Sequence, residues 1–93
     1  MKSYDDICKE LELITRQNTD IRNIITMIYD TLLVALRDNE PFKEKTKNLS
    51  AFIYGLFVYI MNADEALETL ENIKKDKVVF EIIQSALFRV KNM

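Results

Sequence analysis

Apolar residues recur along this chain at intervals of three and four residues, the spacing of helices that bury one face. The first stripe consists of Tyr4, Ile7, Cys8, Leu11 and Ile14. Ser3 precedes it and Asp6 follows three residues later, so we expect Ser3 to cap a helix that ends near residues 16–17. Leu13 falls outside the stripe and predicts a contact with another element.

A second helix is predicted from about Asp20 to Arg37. Its main apolar face consists of Ile21, Ile24, Ile25, Ile28, Leu32, Ala35 and Leu36. Four further side chains widen that face, namely Met27, Tyr29, Leu33 and Val34. So broad an apolar arc predicts that the helix contacts two or more neighbours, or another chain.

The third predicted helix covers residues 42–61 and follows a break at residues 38–41, where Pro41 suits the start of a new helix. Its second part, LSAFIYGLFVYIM, is uncharged and carries four aromatic rings. A membrane span needs about 20 apolar residues, so we expect these thirteen residues to form the central helix of a bundle. Gly55 within this run predicts the close approach of a crossing helix.

Two more segments complete the pattern. Asn62 is expected to cap a fourth helix over residues 63–75, and Asp76 a fifth over residues 77–91. The two could also form one kinked helix, because residues 74–77 contain neither glycine nor proline. With one glycine and one proline in the whole chain, we predict an all-α fold. It would be an antiparallel bundle of four to five helices, with residues 1–93 in a single domain.

Cysteine use and the start of the chain bear on the compartment. Cys8 is the only cysteine, so neither an internal disulfide nor a cysteine metal cluster is available. Residues near the start do not show the basic and apolar pattern of a signal peptide. We therefore expect a cytoplasmic protein in which Cys8 acts as a small apolar side chain.

The residue types that carry most enzyme chemistry are missing. Without histidine, and with one cysteine and one glycine, the chain offers no histidine-based triad and no glycine-rich phosphate loop. Four arginines could clamp an anionic substrate, but none lies in an apolar stripe where a dry pocket would form: Arg16, Arg22, Arg37 and Arg89. We expect a non-enzymatic protein without cofactor, metal or catalytic residue.

Nucleic-acid binding is a third-ranked alternative. Lysines cluster at Lys43, Lys45 and Lys47 and again near the fourth and fifth helices, yet the net charge is −2. The helix that would have to read base edges, VVFEIIQSALFRV, is mostly apolar. We therefore do not expect DNA or RNA to be the partner.

Binding to a protein remains, through apolar side chains that a small bundle does not need for its core. Aromatic residues are enriched at such interfaces, and lysines can border them. The candidate partner-binding residues are Tyr29, Tyr54, Tyr59, Phe88, Lys74, Lys75 and Lys77. The partner could be a different protein or a second copy of the chain, as in a homodimeric regulator or an inhibitor of phage or virus type.

The segments YDDICKELELI, DIRNIITMIYDTLLVAL and LSAFIYGLFVYIM give a short first helix, a longer second helix and an aromatic-rich third. This layout, over roughly residues 4–61, resembles the immunity proteins that protect producers of pediocin-like (class IIa) bacteriocins. The resemblance implies a cytoplasmic antiparallel bundle that binds a bacteriocin-engaged sugar transporter at the inner membrane face, with peripheral membrane contact. The chain departs from that family's longer polar tail by ending in VVFEIIQSALFRVKNM, so no individual residue role is carried over.

Overall fold

Several helices in this protein begin where a side chain satisfies a free backbone amide. The computed structural model describes residues 2–38, 40–73 and 75–93, with the backbone alone at residues 40 and 41. Helix α1 covers Tyr4–Gln17 and α2 covers Ile21–Asp38. The predicted capping box of α1 is confirmed: Ser3 Oγ accepts from the Asp6 amide and Asp6 Oδ2 from the Ser3 amide, both at 3.2 Å.

The second half of the chain adds a 3-10 helix over Glu40–Lys45, α3 over Thr46–Phe57, α4 over Ala63–Ile73 and α5 over Lys77–Lys91. The predicted caps are present, since Asn62 accepts from the Glu65 amide at 3.1 Å and Asp76 from the Val78 amide at 2.9 Å. The described residues contain five α-helices and no strand, which confirms the all-α bundle. Helices α4 and α5 are separate and do not form one kinked helix.

The arrangement of the helices follows from a few contacts. Lys91 at the end of α5 pairs with Asp64 at the start of α4 over 3.0 Å, so these two helices are antiparallel. Helix α5 also packs along α3 in the same direction, and Arg89 near its end lies over the ring of Tyr54. Helix α2 contacts α1, α4, α5 and the 3-10 helix. The prediction that its broad apolar arc meets several neighbours is therefore confirmed.

The core draws on every α-helix. Its members are mostly leucine and isoleucine, and burial of each such side chain contributes about 1.5–3 kcal/mol. The largest fully buried side chains are Leu11, Ile25, Ile28, Tyr29, Leu32, Leu49, Ile53, Phe57, Leu70, Val79, Ile83 and Leu87. Buried side-chain nitrogen and oxygen atoms in the described part of the chain all have a hydrogen-bond partner.

The hydroxyl group of Tyr29 forms hydrogen bonds to the backbone inside this core. The tyrosine side chain, on α2, is completely buried, and its oxygen accepts from the backbone amides of Lys75 at 3.0 Å and Asp76 at 2.5 Å. It also donates to the carbonyl oxygen of Asp76 at 3.3 Å. In a continuing helix, the amides of residues 75 and 76 would bond to carbonyl groups four residues earlier. They bond to the Tyr29 hydroxyl instead, and this is the physical reason that α4 ends at Ile73 and not at residue 75 as predicted.

The third helix is shorter than the predicted range of residues 42–61. Its first part winds as the 3-10 helix, in which Phe42 is buried and packs edge-on against the Tyr4 ring with 6.1 Å between centroids. Its last part is a turn at residues 58–60, where the Met61 amide bonds to the Phe57 carbonyl at 3.0 Å. This turn brings Met61 back to the core and leaves Tyr59 and Ile60 in solvent.

The prediction that Gly55 marks a helix crossing is wrong. The buried residues of α3 are Leu49, Ser50, Ile53 and Phe57, and Gly55 lies two positions from Ile53, which places it on the other side of the helix. Gly55 is exposed, and a β-carbon added to it would meet no atom within 4 Å. The crossing helix α5 packs elsewhere on α3.

Replacing Tyr29 by phenylalanine tests the role of the hydroxyl. The ring still fills its site, but two backbone amides lose their acceptor, so Tyr29→Phe should lower the free energy of unfolding by about 1–3 kcal/mol. Urea denaturation measures this loss. Tyr59→Phe is the matched control, because Tyr59 is 92% exposed and should tolerate the change. Equal stability of both variants would contradict the assigned role.

Replacing Gly55 by alanine tests the corrected placement. Because the site is open and helical, Gly55→Ala should raise the free energy of unfolding by about 0.5–1 kcal/mol through lower backbone entropy in the unfolded chain. Thermal and urea denaturation both report the gain. Destabilisation by the added methyl group would instead indicate a close neighbour at this position.

Candidate partner-binding surface

A groove between α1 and α2 forms a partly open, mainly apolar cavity with a volume of about 910 Å³. Leu13, Met27 and Val34 line it and are 48%, 42% and 47% exposed. The buried side chains of Ile14 and Ala35 contribute to its floor. We call the lining of this cleft the α1–α2 groove.

Carboxylates dominate the rim of the α1–α2 groove. Asp6, Glu10, Asp30 and Asp38 line it, against Lys2 as the one basic lining residue that the structure describes. Lys2 pairs with Glu10, and Arg37 pairs with Asp38 over 3.5 Å. The rim is therefore more acidic than the chain as a whole, whose net charge is −2.

Two of the rim carboxylates, those of Asp6 and Asp30, differ in their surroundings. The amide and hydroxyl groups of Ser3 bond to Asp6 and hold the pKa of its carboxyl below the ordinary value. Asp30 is exposed on α2 and makes no ion pair with a described residue. The groove consequently combines an apolar floor with a negative edge.

Further exposed apolar side chains lie near the end of the bundle where α3 and α5 finish. The turn after α3 and the end of α5 meet there, because Asp64 near that turn pairs with Lys91. These side chains are Tyr59, Ile60, Phe88 and Met93, exposed by 92%, 52%, 45% and 72%. We call these four side chains the end patch.

The candidate aromatic residues from the sequence are thus divided between surface and interior. Tyr59 and Phe88 belong to the end patch, and Tyr54 lies beside it, half-buried under the guanidinium of Arg89 at 4.1 Å from the ring centroid. Tyr29 is different: its side chain is completely buried, so a partner cannot contact it in this fold. The prediction that Tyr29 contacts a partner is therefore wrong, and Tyr29 is a core residue.

The lysines predicted to contact a partner lie at the α4–α5 turn. Lys75 and Lys77 are exposed, and Lys74 lies outside the described residues. Acidic side chains alternate with them in the same shallow surface, which Glu71, Asp76 and Glu81 also line. This mixture of signs differs from the continuous basic surface typical of nucleic-acid binding.

The sequence contained partial signals for the groove residues. Leu13 fell outside its stripe and was predicted to contact another element, but its side chain remains half exposed. Met27 and Val34 are among the four side chains that widen the apolar face of α2, and both line the groove with Leu13. Which members of that arc stay exposed depends on where α4 and α5 pack, and periodicity alone does not contain that information.

Outside the groove, the chemically active side chains include those of Cys8, Tyr4 and Arg16. Cys8 is half-buried, and burial raises the pKa of its thiol, while burial also raises the pKa of Tyr4 to about 12. Among residues 2–38, 40–73 and 75–93, acidic residues and cysteine form no group that could hold a metal ion. Arg16 pairs with Glu12 on the surface of α1.

No protein-family model matches this chain, and neither a curated protein nor a solved structure shows significant similarity to it. Within the described residues, the helices are too short or too polar to cross a bilayer.

Proposed function

We propose that this protein acts without catalysis, by binding another protein, and that the α1–α2 groove is the contact surface. The observation that carries this proposal is the triplet of half-exposed apolar side chains, Leu13, Met27 and Val34, gathered in one groove. Leaving such side chains in water is unfavourable, and a partner that covers them gains their burial.

In its most concrete form, the proposed function is that of a cytoplasmic immunity protein against a pediocin-like bacteriocin. Two features support this form. Helices α1 and α2 contain 14 and 18 residues, the short-then-long order on which the resemblance depends. Helix α3 follows with three aromatic residues, Phe52, Tyr54 and Phe57. The partner would then be the bacteriocin-engaged sugar transporter at the inner membrane face.

A self-associating regulator, or an inhibitor of phage or virus type, is the second candidate. The end patch favours it, because Tyr59, Ile60, Phe88 and Met93 could be covered by the same patch of a second copy. Tyrosine, phenylalanine and methionine are enriched at protein interfaces. The groove and the end patch lie on different elements, so the two candidates can be separated by mutation.

Expression in a bacteriocin-sensitive strain tests the immunity function. The wild-type chain should raise the bacteriocin concentration that stops growth, and Leu13→Ser with Val34→Ser should abolish this protection by removing the apolar surface of the groove. Val78→Ser is the matched control, since Val78 on α5 is 46% exposed and lies outside the groove. Circular dichroism verifies that each variant folds. An absence of protection against every bacteriocin of this class would contradict the immunity function.

Light scattering at high micromolar concentration tests the second candidate. A dimer that depends on the end patch should become a monomer in the Tyr59→Ser/Ile60→Ser variant and persist in Met27→Ser, which alters the groove. Both sites are exposed, so we expect stability to change by no more than about 0.5 kcal/mol. A monomeric wild-type chain would rule out the homodimer.

A further inference from the structure

We infer that the partner segment recognised by the α1–α2 groove is a cationic amphipathic helix of another protein. This inference rests on the proposed function and adds to it the chemistry of the partner. Three properties of the groove lead to it: the geometry of its apolar residues, the backbone chemistry of its walls and the charge of its rim.

The geometry fits a helix lying along the groove. On α2 the lining residues Met27, Thr31, Val34 and Asp38 follow the spacing i, i+4, i+7 and i+11, so they form one continuous row on one face. Residues 27–38 extend over about 16 Å at a rise of 1.5 Å per residue. That length accommodates roughly three turns of a partner helix, whose apolar side chains would contact Leu13, Met27 and Val34.

The walls of the groove favour a helix over an extended peptide. Both walls are α-helices, Tyr4–Gln17 and Ile21–Asp38, whose backbone groups bond to each other within the helix. An extended peptide gains much of its affinity from backbone hydrogen bonds to an open sheet edge, and the described residues of the groove provide none. A helix brings its own backbone bonds and needs only side-chain contacts.

The charge of the rim selects the sign of the partner. Asp6 and Asp30 stand on opposite walls of the groove, one on α1 and one on α2, and both are exposed. Lysine or arginine residues that flank the apolar stripe of a partner helix would meet these carboxylates on both sides. Glu10 and Asp38 extend the negative edge, although each already pairs with a basic residue of this chain.

The same charge disfavours two other occupants. A second copy placed symmetrically over the groove would bring the acidic rim against itself, which costs free energy through like-charge repulsion. A membrane rich in anionic lipid would be repelled for the same reason. The groove therefore suits a cationic helix, whereas the end patch remains the surface proposed for self-association.

Designed peptides test the inference with the full-length protein. The probe is a fluorescently labelled peptide of about four helical turns, with leucine at helical spacing and lysine on both flanks. A scrambled isomer keeps the charge and loses the stripe, and a third peptide carries glutamate in place of lysine. Fluorescence anisotropy should show saturable one-to-one binding of the first peptide, weakened by salt, and much weaker binding of the other two.

Two variants with the same change in net charge locate the site. Asp30→Lys changes the groove rim and should weaken binding by about 10-fold or more, whereas Glu68→Lys changes an exposed acid of α4 outside the groove and should leave binding within about 2-fold. Equal loss in both variants, or equal binding of the scrambled isomer, would overturn the inference in favour of general attraction between opposite charges.

The remaining outcomes distinguish failure of this inference from failure of the proposed function. If the glutamate peptide binds as tightly as the lysine peptide and Leu13→Ser weakens both, the groove binds apolar helices without charge selection. Protein binding through the groove would then stand, and the cationic partner would be wrong. If sedimentation shows a dimer that the Asp30→Lys variant dissociates, a second copy covers the groove. That result would overturn the inference that the partner is a cationic helix. Binding of none of the peptides overturns this inference alone, because bacteriocin protection is measured separately.

Discussion

Three hydrogen bonds to one buried hydroxyl group connect the two halves of this bundle. Tyr29 on α2 accepts from the amides of Lys75 and Asp76 and donates to the Asp76 carbonyl, so the backbone between α4 and α5 is held against the interior of α2. The turn has to pass over the core, and its polar groups would be costly there without a partner. Helix α5 begins directly after this turn and packs along α3.

The position of that turn also decides what stays exposed. Helix α2 has more apolar surface than one neighbour can cover, and α4, α5 and α1 bury most of it, including Ile25, Ile28 and Leu32. Met27 and Val34 line the groove between α1 and α2 from α2, and Leu13 lines it from α1. The groove is thus the part of the broad apolar arc that the bundle leaves uncovered, and its acidic rim comes from polar positions on the same two helices.

Local signals predicted the starts of α1, α4 and α5 more successfully than the ends of α3 and α4, whereas α3, which has no side-chain cap, begins at Thr46 and not at residue 42 as predicted. Ser3, Asn62 and Asp76 cap helices through their own side chains, and a cap needs only the residues within the next turn. The ends of α3 and α4 depend on distant contacts: Met61 returns to the core, and Tyr29 takes the amides beyond Ile73. Gly55 was misplaced for a related reason, because the pattern did not show which side of so apolar a helix meets α5.

The sequence by itself determined that the protein is helical, where α1, α4 and α5 begin, and that histidine-based chemistry is absent, because these depend on composition and on spacing within one turn. Only the tertiary structure decided which of the additional aromatic and apolar side chains are buried and which are exposed. It placed Tyr29 in the core, Tyr59 in solvent and Tyr54 beneath Arg89, although all three lie in similar apolar surroundings along the chain. Burial is set by which helices meet, and that depends on contacts between residues far apart in sequence.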